Sequence, residues 1–260
     1  MNIAILGANG RMGQALIEAS SVVQSVQISA VCVRESSSLY KTTLLGSSLQ
    51  YQTLNDTDSN DVDAVIDFTL PDALPAHLAY CVEHNKPIVV GTTGLLAEQK
   101  QALYEASKHI PIVFAANYSV GVTLMTKLCR IAAQALEDTA DIEIIEAHHR
   151  HKRDAPSGTA KAIGEAIADQ LNWDLETQAV YAREGDTGER DQKTIGFSTI
   201  RGGDIIGEHT ALFADIGERL EITHKASSRQ TFAIGALRAA KWLVAKEAGL
   251  YDMEDVLGLK

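Results

Sequence analysis

From residue 2 to residue 117 the chain alternates short unbroken apolar runs with longer stretches whose apolar positions recur at helical spacing. "NIAIL" (2–6) stops at Gly7, and "QALIEAS" (14–20) follows with a helix-like pattern. "VQISAVCV" (26–33) and "DAVIDFT" (63–69) read as further strands, and "PDALPAHLAYCVEHN" (71–85) as a helix with Pro71 near its start. "PIVVGTTG" (87–94) is a strand and turn, "AEQKQALYEASKH" (97–109) a helix and "PIVFAAN" (111–117) a strand. Continuous Val and Ile strands alternating with helices predict a parallel sheet covered on both faces.

After Asn117 the texture changes. "GVTLMTKLCRIAAQALE" (121–137) predicts a long helix, "DIEIIEAHH" (141–149) a strand and "AKAIGEAIADQL" (160–171) a second helix. Residues 194–226 alternate apolar and polar positions with turns between and no helix, so this stretch is expected to be largely antiparallel. "AREGDTGERDQK" (182–193) reads as an exposed charged loop, and "RQTFAIGALRAAKWLVAKEAG" (229–249) as a closing helix. The expected fold class is α/β: an N-terminal doubly wound parallel sheet plus an α+β domain built on an open mixed sheet.

Composition narrows the partners. The chain has 260 residues, 45% of them hydrophobic, and a formal net charge of -11. That acidity argues against a nucleic-acid partner, whose phosphates want clustered Lys and Arg. Cys32, Cys81 and Cys129 are scattered in apolar runs, which fits reduced core thiols of a cytoplasmic protein. "MNIAILGANG" has no basic region before its apolar run, and no apolar stretch is long enough to span a bilayer, so neither secretion nor a membrane is expected.

The glycines between the first strand and helix supply the first candidate chemistry. Gly7, Gly10 and Gly13 form G-x-x-G-x-x-G, and a tight turn there lets backbone approach a pyrophosphate at a helix start. The alternative is a merely structural turn. Arg11 adds charge beside the phosphates. Cofactor choice falls at the end of the second strand. Val33 stands there and offers no carboxylate to a ribose, whereas Arg34 suits a 2′-phosphate; Glu35 nearby keeps both dinucleotides open. The other strand ends, Asp67 to Thr69, Gly91 to Thr93 and Ala115 to Asn117, lie where such sheets bind ligands.

The second candidate is "EAHHRHKRDAPSGTA" (146–160), three histidines, two arginines and a lysine in an acidic chain. Histidine transfers protons near neutral pH, and lysine holds a carboxylate. His148 and His149 share a site only if their strand ends there. The helix after Pro156 offers free N–H groups to an anion. Together they describe a pocket for an acidic small molecule. A solvated basic face is one alternative. Metal binding by His148, His149 and His151 is another, but the spacing matches no zinc signature, and no metal is expected. His77, His84, His109, His209 and His224 receive no role.

"GANGRMG", "DFT", "GTTG", "FAANYSVGV", "EAHHRHKRDAPSGTA", "REGDTGER", "TIGFSTIRGGDIIGEHT" and "ITHKASSR" occur in this order over essentially the whole chain. In these motifs the chain resembles the dihydrodipicolinate reductase (4-hydroxy-tetrahydrodipicolinate reductase) family of lysine and diaminopimelate biosynthesis. The resemblance implies reduction of a cyclic unsaturated imine dicarboxylate by NADH or NADPH. It implies His148 as proton donor and acceptor, Lys152 as a second proton donor, and a carboxylate seat made by His149, Gly158 and Thr159. Gly7, Ala8, Asn9, Gly10, Arg11, Met12, Arg34, Gly91, Thr92, Thr93, Ala115, Ala116, Asn117 and Tyr118 would line the dinucleotide. The implied architecture is a Rossmann domain (1–118 and 229–260) and a substrate-binding, tetramerisation domain (119–228), with hinge closure bringing nicotinamide to substrate in a homotetramer. Two departures stand out: Val33 where many members have an acidic residue, which favours NADPH over NADH, and Tyr118 where Phe is more usual. Two other readings differ in chemistry: a Rossmann oxidoreductase acting on another acid, and a non-catalytic dinucleotide sensor that leaves the histidines idle.

Overall fold

A computed structural model describes residues 1–137 and 139–260. They form two compact units, Met1–Val120 with Arg229–Lys260, and Gly121–Ser228.

The first unit opens with strand β1 (Asn2–Leu6), helix α1 (Arg11–Ser20), β2 (Gln27–Cys32), the short β3 (Tyr51–Gln52) and β4 (Ala64–Asp67). Helix α2 (Leu74–Glu83), β5 (Ile88–Val90), α3 (Ala97–Ser107) and β6 (Pro111–Phe114) follow. The sheet order is β12-β6-β5-β4-β1-β2-β3, and every pairing is parallel. β12 (Gly249–Tyr251) comes from the end of the chain, and its Leu250 pairs with Ile112. The winding reverses between β1 and β4, which creates a crevice at their carboxyl ends.

Both faces of this sheet are buried, so its strands read as unbroken apolar runs. Ile3 and Ile5 point to one side, among α1, α7 (Gln230–Leu243) and α8 (Met253–Leu257). Ala4 and Leu6 point to the other, among α2 and α3. The small residues of α7 let it sit close, and a Cβ on Gly235 would lie 1.8 Å from the Tyr118 carbonyl oxygen.

The second unit contains α4 (Val120–Leu136, all but its first residue), β7 (Asp141–His148), α5 (Gly158–Leu171) and the single-turn α6 (Leu175–Gln178). It continues through β8 (Ala179–Val180), β9 (Ile195–Arg201), β10 (Gly207–Asp215) and β11 (Glu218–Ala226). Its sheet order is β11-β10-β7-β9-β8. Here the expectation of a largely antiparallel stretch needs correction. β10 pairs antiparallel with β7 and β11, but β9 runs parallel to β7 and β8. β9 and β10 are not a hairpin, because β7 lies between them. One face buries Ile142, Ile144, Ile195, Phe197, Ala211 and Phe213 with α4 and α5. α5 approaches closely through Gly164, whose Cβ would fall 2.7 Å from Phe197 Cζ.

The expected closing helix stops at Leu243, short of Gly249, and the chain returns as β12 and α8. Asp252 caps α8 by accepting from the Glu254 and Asp255 backbone N–H groups, which the sequence signature of an acidic cap explains.

Candidate functional site

In the first unit the glycine loop joins β1 to α1 as a tight turn. Gly7 has φ +67°, and the Gly10 N–H donates to the Gly7 carbonyl at 2.8 Å. A Cβ on Gly13 would lie 2.3 Å from the Gly7 oxygen and 2.6 Å from Ala8 Cα, so only glycine permits this turn to close on the helix. Gly10 caps α1 without a side chain, leaving the first N–H groups of the helix to an incoming anion. Asn9, Gly10 and Arg11 are exposed there, Met12 is half-buried and Ala8 is buried. The donor set and the close-approach glycine fit a dinucleotide pyrophosphate.

Val33 is 7% exposed and belongs to the apolar cluster around α1, while Arg34 and Glu35 are exposed just beyond β2. Gly91 follows β5 and lies against the Phe68 ring, whose Cε1 lies 2.1 Å from where a Cβ would be. Thr92 is buried and Thr93 exposed. Ala115, Ala116 and Asn117 follow β6. Tyr118 is fully enclosed: its hydroxyl sits 2.8 Å from the Val90 carbonyl and 3.1 Å from that of Val113, and its ring meets Phe68 edge-on at 5.5 Å. The hydroxyl that distinguishes it from Phe is therefore committed to backbone, and burial raises its pKa well above the usual phenol value.

In the second unit β7 ends at His148, so His149 leaves the pleat. His148 is 8% exposed and its Nδ1 lies 2.5 Å from Glu146 Oε2. Glu146, 1% exposed, is saturated with donors. Arg201 grips both its oxygens, each at 2.8 Å, and the Ser157 N–H donates to Oε1 at 3.0 Å. Burial alone would raise this carboxyl; the bonds from Arg201, His148 and Ser157 outweigh it and hold the pKa below the ordinary range. An ionised Glu146 accepts the hydrogen bond of His148 Nδ1–H, which keeps that proton on Nδ1 and leaves Nε2 for proton transfer. A Cβ on Gly207 would come within 3.0 Å of that Nε2. His148 itself is shifted down, chiefly by burial, with Glu146 pulling the other way. It is a stronger acid than a free imidazole.

Ser157 caps α5: its Oγ accepts from the Ala160 N–H at 3.1 Å and lies 3.0 Å from His209 Nε2. Gly158 and Thr159 form the first turn, and nothing lies within 4 Å of a Cβ on Gly158. Lys152 Nζ is 2.9 Å from Asp154, whose carboxylate also takes a backbone hydrogen bond from Gly158. The chain's own carboxylate thus bridges the lysine and the helix start. His149 Nδ1 is buried with no hydrogen-bond partner among the described residues. Arg11, Arg34 and the strand-end residues belong to the first unit and His148, His149, Lys152, Gly158 and Thr159 to the second.

Two models described as dihydrodipicolinate reductase, N-terminus and C-terminus, match residues 1–118 and 121–257. The chain belongs to the dihydrodipicolinate reductase family. It is 63% identical to the 4-hydroxy-tetrahydrodipicolinate reductase of Pseudoalteromonas atlantica over 263 residues, covering 99% of this chain and 98% of that relative. The dipicolinate-bound dihydrodipicolinate reductase from Paenisporosarcina sp. TG-14 shares its fold, with a TM-score of 0.79 at 24% identity over 97% of each chain. The fold extends to the DAP dehydrogenase of C. glutamicum, at TM-score 0.56 and 12% identity over 97% of this chain and 92% of that one.

Sequence reasoning missed three residues that the fold gathers around His148: Glu146, Arg201 and His209. Glu146 and His148, two apart on one strand, share a face, and that spacing was the available signal. His209 is 4% exposed, its ring packs edge-on against His148 at 5.1 Å, and burial is the main cause lowering its pKa to about 4. The ordinary value of 6.5 applies once the chain unfolds. Between those values the unfolded chain binds the extra proton, so stability falls as pH drops from 6.5 towards 4. The full shift corresponds to roughly 3 kcal/mol. Melting curves at pH 7 and pH 5 should show His209→Phe losing part of this acid sensitivity; an unchanged difference would rule out His209 as its source.

Proposed function

We propose that the chain reduces 4-hydroxy-tetrahydrodipicolinate to tetrahydrodipicolinate with NAD(P)H, in diaminopimelate and lysine biosynthesis. The observation that carries this reading is Glu146, which holds His148 by one oxygen and the start of α5 by the other. A proton donor and an anion seat are thereby fixed to one carboxylate, as reduction of a dicarboxylate requires. The named activity of the relative at 63% identity supports the same reading.

The dinucleotide, when bound, supplies a hydride. Gly7 to Met12 would hold its pyrophosphate, Arg34 its ribose end, and Gly91 to Thr93 with Ala115 to Tyr118 its nicotinamide end. In the second unit, His148 delivers a proton from Nε2. Lys152 exchanges Asp154 for a substrate carboxylate and is a second proton source. His149, Gly158 and Thr159 take the other polar contacts of the substrate, with the dipole of α5 favouring its charge. The domain roles follow: 1–118 with 229–260 for the dinucleotide, 119–228 for substrate and assembly.

NADPH is favoured over NADH because Val33 is an apolar core residue and Arg34 is left to meet a 2′-phosphate. A cytoplasmic homotetramer is the proposed state. Association is supported by the second face of the five-stranded sheet, where Ile200 is 50% exposed and Ile145 and Leu212 are half-buried. No helix among the described residues is long and apolar enough to cross a membrane.

The test generates the unstable substrate in place from pyruvate and aspartate semialdehyde with the preceding enzyme, and follows nucleotide absorbance. Substrate-dependent oxidation is expected, with kcat/KM higher for NADPH than for NADH. Arg34→Ala should lower the NADPH value about fivefold and leave NADH nearly unchanged. A protein that binds dinucleotide but oxidises none would move the activity to another acid or remove it.

A further inference from the structure

His77 carried no role in the sequence, yet it touches a fully buried carboxylate of the first unit, that of Asp67. Asp67 ends β4, at the crevice between β1 and β4, and is fully buried. Its Oδ1 accepts from the Thr69 N–H at 2.8 Å, the Thr69 hydroxyl at 2.6 Å and the Thr92 hydroxyl at 3.2 Å. Its Oδ2 faces His77 Nδ1 at 2.7 Å. Its own carbonyl accepts from the Gly91 N–H at 2.8 Å. Burial opposes ionisation here, but the bonds from His77 and Thr69 outweigh it and hold the pKa low.

The consequence is mechanical. With hydroxyl and amide both committed to Asp67, Thr69 turns its methyl to the glycine loop: Cγ2 lies 3.1 Å from where a Cβ on Gly7 would stand. Thr92 is drawn to the same oxygen, and the intervening Phe68 ring fills the space above Gly91. One carboxylate thus sets the positions of three loops, those after β1, β4 and β5. His77, on α2 with its side chain 18% exposed, is the donor that completes it from outside the crevice.

We propose that Asp67 and His77 are a positioning pair that sets dinucleotide affinity by holding these loops in their binding geometry. The proposal rests on the reading that the glycine loop holds a dinucleotide. His77 meets no substrate or cofactor in this account; it acts through Asp67. Removing its N–H leaves one oxygen of a buried carboxylate short of a donor, which loosens the loops without touching the second unit.

The experiment is an NADPH titration by fluorescence, with steady-state kinetics on the same proteins, for wild type, His77→Leu, His77→Ala and His77→Asn. Wild type must bind; no binding would remove the dinucleotide reading and this proposal together. His77→Leu is expected to raise the NADPH Kd about tenfold, with kcat at saturating nucleotide and KM for the acid within about twofold. His77→Ala, which admits water to Asp67, should move the same way by less. His77→Asn, whose amide can donate in place of Nδ1, should stay within about twofold of wild type. If His77→Leu lowers the melting temperature and leaves Kd unchanged, His77 is only a brace and the proposal fails. It fails equally if His77→Asn binds as poorly as His77→Leu, or if kcat falls as far as affinity. Should His77→Leu not fold, the Ala and Asn variants decide by the same criteria.

Discussion

Replacing His148 with glutamine should lower kcat about a thousandfold and leave the NADPH dissociation constant within about twofold. Glutamine keeps the size and can still donate to Glu146, so the buried pocket remains filled. It does not titrate, and proton delivery from Nε2 is lost. A group that acts only in the transition state affects kcat and kcat/KM together. Donation also requires a protonated ring, so wild-type kcat/KM should fall as pH rises through the His148 pKa, which burial holds below 6.5. In His148→Gln that limb should vanish from the residual rate. Stopped assays across pH, with a nucleotide titration of the same protein, measure both effects. Turnover within a few-fold of wild type would remove His148 as the proton donor and pass that role to Lys152.

Much of the first unit could be read from the chain because its strands are covered on both sides. "IAIL" (3–6) and "PIVV" (87–90) have no polar position to confuse them, and each is followed by a glycine that opens onto the crevice, Gly7 and Gly91. β12 was not legible for the opposite reason. Gly249–Tyr251 has no apolar run of its own and becomes a strand only because β6 offers an open edge. In the second unit, alternation identified strands but not their order. β9 pairs parallel with β7 after a crossover that includes α5, and the periodicity of the strand itself does not carry its direction or its neighbour.

The candidate residues show the same division. Residues that present backbone or a titrating ring announce themselves by clustering: the glycines of 7–13, the histidines of 148–151. Residues that hold those groups in place do not. Glu146 reads as one more acid on an amphipathic strand, and Arg201, 55 positions away, as a turn charge. Asp67 and His77 are equally plain. In each unit the candidate residues nevertheless depend on a buried carboxylate whose acceptor capacity is filled, Asp67 among the loops after β4 and β5 and Glu146 between His148 and a helix start. Such a residue is recognised by what converges on it, which only the fold supplies.

The arrangement makes Glu146→Gln the second large effect. Four donors point at this side chain: His148 Nδ1, two Arg201 nitrogens and the Ser157 amide. A carboxamide has one accepting oxygen, and its NH2 must then face a donor whichever way it turns. Arg201 would be left partly unpaired, and breaking a buried pair from one side costs about 3–5 kcal/mol, so a lower melting temperature is expected. The kinetic change distinguishes positioning from stability alone. Burial pulls the His148 pKa down and Glu146 pulls it up; without the carboxylate only the downward pull remains. The alkaline limb of kcat/KM should therefore move to lower pH, and at pH 7 the protonated fraction of His148 falls. The ring also loses the acceptor that keeps its proton on Nδ1. Together these should lower kcat about a hundredfold at pH 7, with part of the loss recovered at lower pH. Glu146→Asp, shorter but charged, should keep the limb closer to its wild-type position than Glu146→Gln does. A pH profile of Glu146→Gln that keeps its wild-type limb would mean that Glu146 fixes the helix start and leaves the proton affinity of His148 to other groups.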